Sequence, residues 1–254
     1  MYLLDHIVHF VEKPEHLIDQ TKEIGLYTVN GGKHEMWGTY NTLCYFGLTY
    51  IEFIGIFNNE LFERAAKEPY TLHETYKKSN RSNGFTRMAL RTNSIEEDAL
   101  RLRQVGLVVY GPETFSRTRP DGSVLTWKLL HIGEENTKVE WPFLIQWEET
   151  DEARLDDLVK RGTIGNHPLG DLRISEVVYQ VEDLQIPQKW ADVFGFAIEK
   201  NDSCITLRTS NCNFTFYGNL QEEGERNNID QVVISGAIEE KMVQLECGLY
   251  KFTK

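Results

Sequence analysis

Two side chains in the amino-terminal part of the sequence are of the types that bind divalent metals or move protons. His6 lies in the apolar run 4–11, and Glu52 lies in a second apolar run, 49–55. Both runs have the length and the β-branched composition of strands. Because side chains alternate across a strand, each residue points to one face of a predicted sheet. An imidazole and a carboxylate on a shared face suit Zn²⁺, Ni²⁺, Mn²⁺ or Fe²⁺.

The elements that must position these residues begin with a strand at 4–11. Pro14 and Gly25 bracket an amphipathic stretch, and these residue types are typical of the first turn of a helix and of the position after its end. Three predicted strands follow, the first of them over residues 26–29. The glycine pair at 31–32 predicts a turn or bulge. His34 and Glu35 follow it and are expected to lie in a loop at the mouth of a pocket.

The same β-α-β-β-β order recurs over residues 85–147. A helix is predicted over 94–105, where Ser94 and Glu97 have the spacing of a capping box. The residues at 120–122, Pro-Asp-Gly, predict a hairpin turn between two strands of this second unit. A repeated order of elements indicates repeated structural units.

A third unit of the same kind is predicted from residue 174 to 217, and a shortened fourth from 229 to 252. The acidic run 221–225 between them is interpreted as a solvated loop. The predicted division is therefore a paired domain, residues 1–150, followed by a smaller one, residues 172–254. The first domain contains modules at 1–57 and 84–148, which form the cleft.

Composition narrows the class of partner. The chain has 254 residues, 41% of them hydrophobic, which is enough for a full core, and a formal net charge of −12. That charge argues against nucleic acid and anionic membranes, which attract Lys and Arg, and favours a small-molecule partner. Four scattered cysteines, read as buried free thiols, together with no signal-type segment and no long apolar run, predict a cytoplasmic location. A homodimer is compatible with the sequence.

Three short motifs stand within this repeat. They are Asp5-His6 in the first strand, Pro-Phe-Leu-Ile-Gln-Trp at 142–147, and His-Pro-Leu-Gly at 167–170. Together with the tandem units they resemble the glyoxalase-like domain proteins of the vicinal oxygen chelate superfamily, which includes glyoxalase I, extradiol dioxygenases and bleomycin-resistance proteins. The resemblance implies an α+β fold, in which tandem βαβββ modules form a partial barrel around a cleft.

The resemblance also implies where a metal would bind. In this superfamily one ligand comes from the first strand and one from the last strand of each module. The first module offers His6 and Glu52, and alignment of the second places Arg87 and Gln146 in the matching positions. Gln146 is a weak carbonyl ligand. Arg87 is a permanent cation without an acceptor, so it is expected to bind an anionic group of the substrate or to neutralise Glu52.

A different strand register gives a different result, because a shift of one residue turns every side chain to the other face. In that case Arg87 points away from the cleft. Two histidines remain open to two interpretations. His131 is either a hydrogen-bonded sheet residue or a general base in the cleft. His167 either locks a crossover through the following proline or contacts the substrate.

Two functions follow from these expectations. The first is a divalent-metal-dependent enzyme, with isomerase, lyase or dioxygenase chemistry, that acts on a small oxygen-bearing substrate. His6, Glu52 and Gln146 would hold the ion, Glu52 would move a proton, and Arg87, His131 and His167 would contact the substrate. The alternative is a metal-free protein that binds or sequesters a small molecule, as bleomycin-resistance proteins do. A purely structural role for His6 and Glu52 also stays open.

Overall fold

Two β-sheets organise the chain in the computed structural model, which describes residues 1–119, 122–218 and 228–254. The strands and helices of the first part are β1 (Leu3–Phe10), α1 (His16–Glu23), β2 (Val29–His34), β3 (Thr39–Phe46), β4 (Thr49–Ile56), α2 (Asn59–Ala65), α3 (Leu72–Lys78), β5 (Gly84–Arg91), α4 (Ile95–Gln104), β6 (Val108–Thr118), β7 (Val124–Gly133), β8 (Phe143–Trp147) and α5 (Asp151–Lys160).

The second part of the chain continues in the same way after α5. Its elements are β9 (Gly170–Val181), α6 (Gln185–Phe194), β10 (Ala197–Lys200), β11 (Cys204–Arg208), β12 (Asn213–Gly218), β13 (Asn228–Ala237), β14 (Lys241–Leu245) and β15 (Gly248–Thr253). A tight turn with Glu246 and Cys247 at positive φ joins β14 and β15 into a hairpin.

The first sheet has the strand order β2-β3-β4-β1-β5-β8-β7-β6. Its two central strands, β1 and β5, run antiparallel, with His6 opposite Ala89. Each central strand also pairs in parallel with the last strand of its own module, β1 with β4 and β5 with β8. The tandem βαβββ arrangement and the α+β class predicted from the sequence are confirmed. The second sheet, β10-β11-β12-β9-β13-β15-β14, repeats this central pairing with β9 and β13.

The two faces of the first sheet have different neighbours. One face packs against the second sheet through a continuous apolar core, to which Ile7 and Leu90 from the first sheet and Val177 and Val232 from the second contribute. Burial of such side chains stabilises the fold by roughly 1.5–3 kcal/mol each. This core holds the central strands rigidly from behind, and it leaves the opposite face free for a pocket.

The opposite face carries a second apolar cluster. Helices α2 and α3 cover part of it, with Phe62 and Tyr76 packing on Phe10 of β1. Residues 59–80 form two short helices. Asn58 caps the start of α2, and Thr71 caps the start of α3, each with its side chain.

Ser94 precedes α4, but its side chain makes no cap hydrogen bond, so the predicted capping box is wrong. Pro120 and Asp121 of the predicted hairpin turn, and the whole acidic run 221–225, lie outside the described residues. Within the described part of the chain, no helix is long and apolar enough to cross a membrane.

The shared core predicts how two leucines differ in their contribution to stability. Leu90 is 0% exposed between the sheets, whereas Leu100 on α4 is 62% exposed. Leu90→Ala is expected to lower the free energy of unfolding by about 2–5 kcal/mol, because it leaves a cavity in packed surroundings. Leu100→Ala is the control and should change it by less than about 0.5 kcal/mol. Urea unfolding of both variants measures the difference, and equal losses would contradict the packing described.

Candidate active site

A pocket opens on the face of the first sheet that points away from the second sheet. The walls are mostly aromatic and apolar, and a few polar side chains converge inside. The lining residues are His6, His34, Trp37, Asn41, Leu43, Tyr45, Tyr50, Glu52, Ile54, Leu72, Arg117, Leu125, Trp127, Leu129, Phe143, Ile145 and Trp147.

Asp5 and His6 point to the same side of β1, although adjacent strand residues normally alternate. The pairing with β5 shifts between Leu4 and His6, so Asp5 is the extra residue of a β-bulge. Its Oδ1 lies 2.8 Å from Nδ1 of His6. This contact orients the ring with Nδ1 as the donor, so that the lone pair of Nε2 faces the pocket. The Asp5-His6 motif was identified in the sequence, but the β-bulge that brings both side chains to one side of the strand was not predicted.

The carboxylate of Asp5 is fully buried and is satisfied from several elements. Its Oδ2 lies 3.2 Å from Nη1 of Arg91, 3.0 Å from Nε1 of Trp147 and 3.5 Å from Nη2 of Arg154. Burial alone would raise the pKa of Asp5, but Arg154, the hydrogen bond with His6, and Arg91 outweigh it and lower the pKa well below its usual value. Asp5 is therefore an anion that holds His6 in place.

Glu52 faces His6 across the pocket floor. Its Oε2 lies 3.7 Å from Nε2 of His6, and its Oε1 accepts a hydrogen bond of 2.5 Å from the Asn41 amide. His34 completes the group, with its Nε2 4.0 Å from Oε1 of Glu52. The predicted pairing of His6 with Glu52 is thus present, while Asn41 was not identified and His34 was assigned to a loop at the mouth.

The glycine pair at 31–32 explains why His34 reaches the pocket. A bulge in β2 at this point shifts the pairing with β3, and His34 is a strand residue whose Nδ1 lies 3.0 Å from the Thr39 hydroxyl. The amide of Gly32 donates to Oδ1 of Asn41 at 2.8 Å. A Cβ on Gly31 would lie 1.9 Å from the same Oδ1. The bulge therefore needs glycine there, and it orients the amide that contacts Glu52.

Gln146 does not reach His6 and Glu52. Its neighbours Ile145 and Trp147 line the pocket, so the side chain of Gln146 has the opposite parity and points to the other face. There its Oε1 accepts a 2.9 Å hydrogen bond from the amide of Ile95, at the start of α4. Gln146 thus supplies a side-chain hydrogen bond to the first residue of α4, where the side chain of Ser94 makes none. Its predicted role as a metal ligand is corrected by this one-residue difference in register.

Arg87 lies on the pocket face, but its guanidinium is buried among backbone carbonyls. It donates to the carbonyl oxygens of Tyr70, Trp141 and Ile132, and its Cζ is 5.9 Å from the ring centroid of Phe143. Phe143 therefore separates it from the pocket, and Arg87 is not a lining residue. The structure gives it a structural position in place of the predicted contact with the substrate.

The two remaining predicted contacts also lie outside the lining. His131 is on the same face as Phe143, with ring centroids 6.1 Å apart, and its buried Nδ1 has no hydrogen-bond partner in the described structure. His167 uses both ring nitrogens within the chain, Nε2 to the carbonyl of Tyr45 at 2.8 Å and Nδ1 to the amide of Tyr27 at 3.0 Å. These contacts favour the locked crossover for His167.

The donor set decides whether a divalent cation fits. Nε2 of His6 and Oε2 of Glu52 converge at a separation close to that of two ligands on one ion, and both belong to residue types that bind Zn²⁺, Mn²⁺, Fe²⁺ and Ni²⁺. The second module presents Phe143 and Ile145 instead of ligands. In the described ranges, no group of three or more His, Cys, Asp or Glu residues is arranged to hold a metal. His6 and Glu52 can therefore supply two ligands of a metal ion, which is fewer than a complete coordination shell.

The model of the glyoxalase-like domain family matches residues 4–194, which is most of the chain. The chain belongs to the glyoxalase-like domain family. This result and the paired modules confirm the assignment to the vicinal oxygen chelate superfamily. A search of the curated proteins gave no match.

Solved structures with the same fold include relatives of different kinds. A hypothetical protein from Staphylococcus aureus superposes with a TM-score of 0.87 over 100% of both chains at 25% sequence identity. A mutant of 4-hydroxymandelate synthase from Streptomyces coelicolor has a TM-score of 0.54 at 10% identity, covering 91% of this chain and 70% of that one. A xylose isomerase-like TIM barrel/4-hydroxyphenylpyruvate dioxygenase fusion protein has a TM-score of 0.52 at 13% identity, covering 92% and 36%. The last two share the fold alone.

The position of Arg87 predicts an effect on stability. Arg87→Met removes the donors for three buried carbonyls, and unsatisfied buried acceptors cost roughly 1–3 kcal/mol each at most. We expect the free energy of unfolding to fall by about 2–4 kcal/mol in urea titrations. Arg103→Met is the matched control, because exposed Arg103 also donates to backbone carbonyls, those of Val109 and Gly111. A loss for Arg87→Met no larger than that of the control would contradict the placement.

The buried histidines predict acid sensitivity. Burial lowers the pKa of His73 to about 3, with His131 and His34 acting in the same direction, and its Nε2 has no partner in the described structure. Between this value and the unfolded value of about 6.5, the unfolded chain binds more protons, so stability falls as the pH falls. One histidine contributes up to about 1.4 kcal/mol per pH unit.

His73→Phe preserves an aromatic ring against Trp37 and Phe62, which flank His73 at 5.3 and 5.8 Å between ring centroids. The unfolding free energy of the variant should fall less steeply than that of the wild type between about pH 6 and pH 4, because one histidine no longer takes up a proton on unfolding. At neutral pH the variant should be no less stable than the wild type, because a buried nitrogen without a partner is removed. Urea unfolding across this range is the measurement, and a decline as steep as that of the wild type counts against it.

Proposed function

We propose that this chain is an enzyme that acts on a small oxygen-bearing substrate, with His6 and Glu52 as its metal-holding and proton-moving pair. One observation carries the proposal. Nε2 of His6, oriented by the buried anion Asp5, faces Oε2 of Glu52 at 3.7 Å in a pocket with mostly aromatic and apolar walls. A buried histidine, a carboxylate and an orienting acid in one cleft are the parts of a catalytic site.

Each residue has a defined task in this proposal. Asp5 holds Nδ1 of His6 protonated, so Nε2 is free to bind a cation or accept a hydrogen bond. Asn41 occupies Oε1 of Glu52 and leaves Oε2 for the pocket. Glu52 would take a proton from the substrate at Oε2 and return it, as an isomerase or lyase requires. A divalent cation, when bound, would act as a Lewis acid that stabilises negative charge on the oxygens of the substrate.

His34 lies beside Glu52, on the face of the sheet that the side chain of Gln146 does not reach. It is the third side chain beside the pair, and its pKa is lowered by burial, raised in part by Glu52 and lowered again by Arg117. A neutral imidazole is the form that binds metals and accepts protons. The reaction type, whether isomerase, lyase or dioxygenase, depends on the substrate.

A metal-free binding protein is the second candidate, and the donor set favours it. The second module places apolar Phe143 and Ile145 where ligands would complete a metal shell. Aromatic walls around a small polar centre also suit sequestration of an apolar ligand. In this case Glu52 and His6 would hydrogen-bond the ligand directly.

Metal binding separates the two candidates. If the ion is held by His6 and Glu52, adding Mn²⁺, Ni²⁺, Zn²⁺ or Fe²⁺ at about one hundred times its Kd should stabilise the wild type by roughly 2.7 kcal/mol. For a chain of this length that is about 5–10 °C in Tm. Glu52→Gln should abolish the shift, because a neutral amide is a much weaker ligand.

The matched control is Gln146→Ala, which removes the ligand predicted from the sequence. Since Gln146 faces α4, its removal should leave the metal-dependent shift intact while lowering the basal Tm through the lost contact with Ile95. Isothermal titration calorimetry would give both affinities. No stabilisation of the wild type by any of the four ions would exclude the metal-dependent enzyme and leave the binding protein.

A further inference from the structure

Arg117 of β6 is a cation that lines the pocket. Its side chain is partly buried and lines the same cavity as His6 and Glu52. Among residues 1–119, 122–218 and 228–254, the structure shows no hydrogen bond or ion pair from its guanidinium. Its charge is felt by His34 and Tyr45, whose pKa values it lowers in part. A partly buried guanidinium offers five donors in a planar fork, which is suited to carboxylate or phosphate oxygens.

Other arginines on the same side of the sheet are paired. Arg119, which directly follows β6, lies 3.2 Å from Asp157 of α5, and Arg161 lies 2.8 Å from the same carboxylate. On the central strand β5, Arg91 contacts Asp5 and Asp151. Arg117 thus differs from these neighbours, because no carboxylate of the described residues lies within salt-bridge distance of its guanidinium.

The local backbone makes room for this guanidinium. A Cβ added to Gly32 would lie 2.3 Å from Nη1 of Arg117. The second glycine of the 31–32 pair therefore allows the side chain to lie flat against β2, while the first makes room for Asn41. One bulge positions both the amide that contacts Glu52 and the free cation.

Arg117 also stands where the pocket meets a larger, more open cavity. That outer cavity shares six lining residues with the pocket: His34, Leu43, Tyr45, Arg117, Leu125 and Trp127. Three further cations, Lys33, Arg119 and Arg161, line the outer part together with one acid, Glu35. Arg119 and Arg161 share the carboxylate of Asp157. Among the described residues, the four cations on this side, Arg117 included, outnumber these two acids, and an excess of positive charge attracts anions.

We infer that Arg117 binds the anionic group of the substrate, and that the substrate is a small molecule with an apolar or aromatic body and one carboxylate or phosphate. This inference deepens the proposed function by naming the substrate class. The negative charge of Glu52 disfavours an anion at the floor of the pocket, so the anionic group lies at Arg117. The apolar body lies against Trp37, Trp127 and Trp147, and the reacting oxygens face His6 and Glu52.

Three probes of similar size test the inference: 3-phenylpropionate, phenyl phosphate and the neutral 3-phenylpropionamide. Binding to the full chain is measured by calorimetry and by tryptophan fluorescence, with and without Mn²⁺. We expect at least one anion to bind about tenfold or more tightly than the amide, because charge-assisted hydrogen bonds are the stronger kind. The better anion identifies the group that Arg117 takes.

Arg117→Met should remove the preference for the anion and leave amide binding unchanged. Arg119→Met is the matched control and should keep the preference, since Arg119 is paired with Asp157 and lines the outer cavity only. Gly32→Ala provides a second route to the same loss, because the added Cβ displaces the guanidinium without removing it. Equal binding of amide and anions by the wild type would overturn the inference, as would a preference that survives Arg117→Met, or no binding of any probe.

The outcome is separable from that of the proposed function. Glu52→Gln should lose the metal-dependent stabilisation and keep the preference for the anion. Arg117→Met should do the reverse, with metal affinity within about twofold of the wild type. Anion preference without metal binding would support this inference and exclude the metal-dependent enzyme.

Discussion

The buried carboxylate of Asp5 links the parts of the chain that form the site. It receives Arg91 from β5, Trp147 from β8, Arg154 from α5 and the ring of His6 from its own strand. A carboxylate removed from water is unfavourable unless charges and donors surround it, and here both modules supply them. The orientation of His6 is therefore a consequence of the assembly of the two modules, and the pocket has a defined floor only when they are paired.

The two faces of the first sheet have different roles in the structure, because one packs on the second sheet and the other lines the pocket. One face packs on the second sheet in a continuous apolar core, which includes Ile7 and Leu90. The other face carries polar groups, among them Glu52 and His34, between aromatic walls. The packed core fixes the strands, and contacts on the pocket face fix the side chains, as Asp5 does for His6 and Asn41 for Glu52.

Much of the fold could be predicted because its signals are local. Proline and glycine mark the ends of α1, apolar alternation marks the strands, and repetition of the same order identifies the modules. Half of the site followed as well, since His6 and Glu52 each lie in a clear strand. The face to which Gln146 points was predicted incorrectly, because a shift of one residue in strand register reverses it. The direction of Asp5 was not predicted, because a β-bulge adds one residue to the strand there. Neither leaves a signal in a single sequence.

The amino-acid sequence alone determined the α+β class, the tandem modules, the relationship to glyoxalase-like proteins and the pairing of His6 with Glu52. Only the tertiary structure decided that Arg87 is buried among backbone carbonyls, that His34 and Asn41 lie beside Glu52, and that Arg117 lines the pocket. The physical reason is that strand position follows from neighbours in the chain, whereas the environment of a side chain depends on elements far away in sequence. Arg87 and Arg117 carry the same charge, and their surroundings alone make them different.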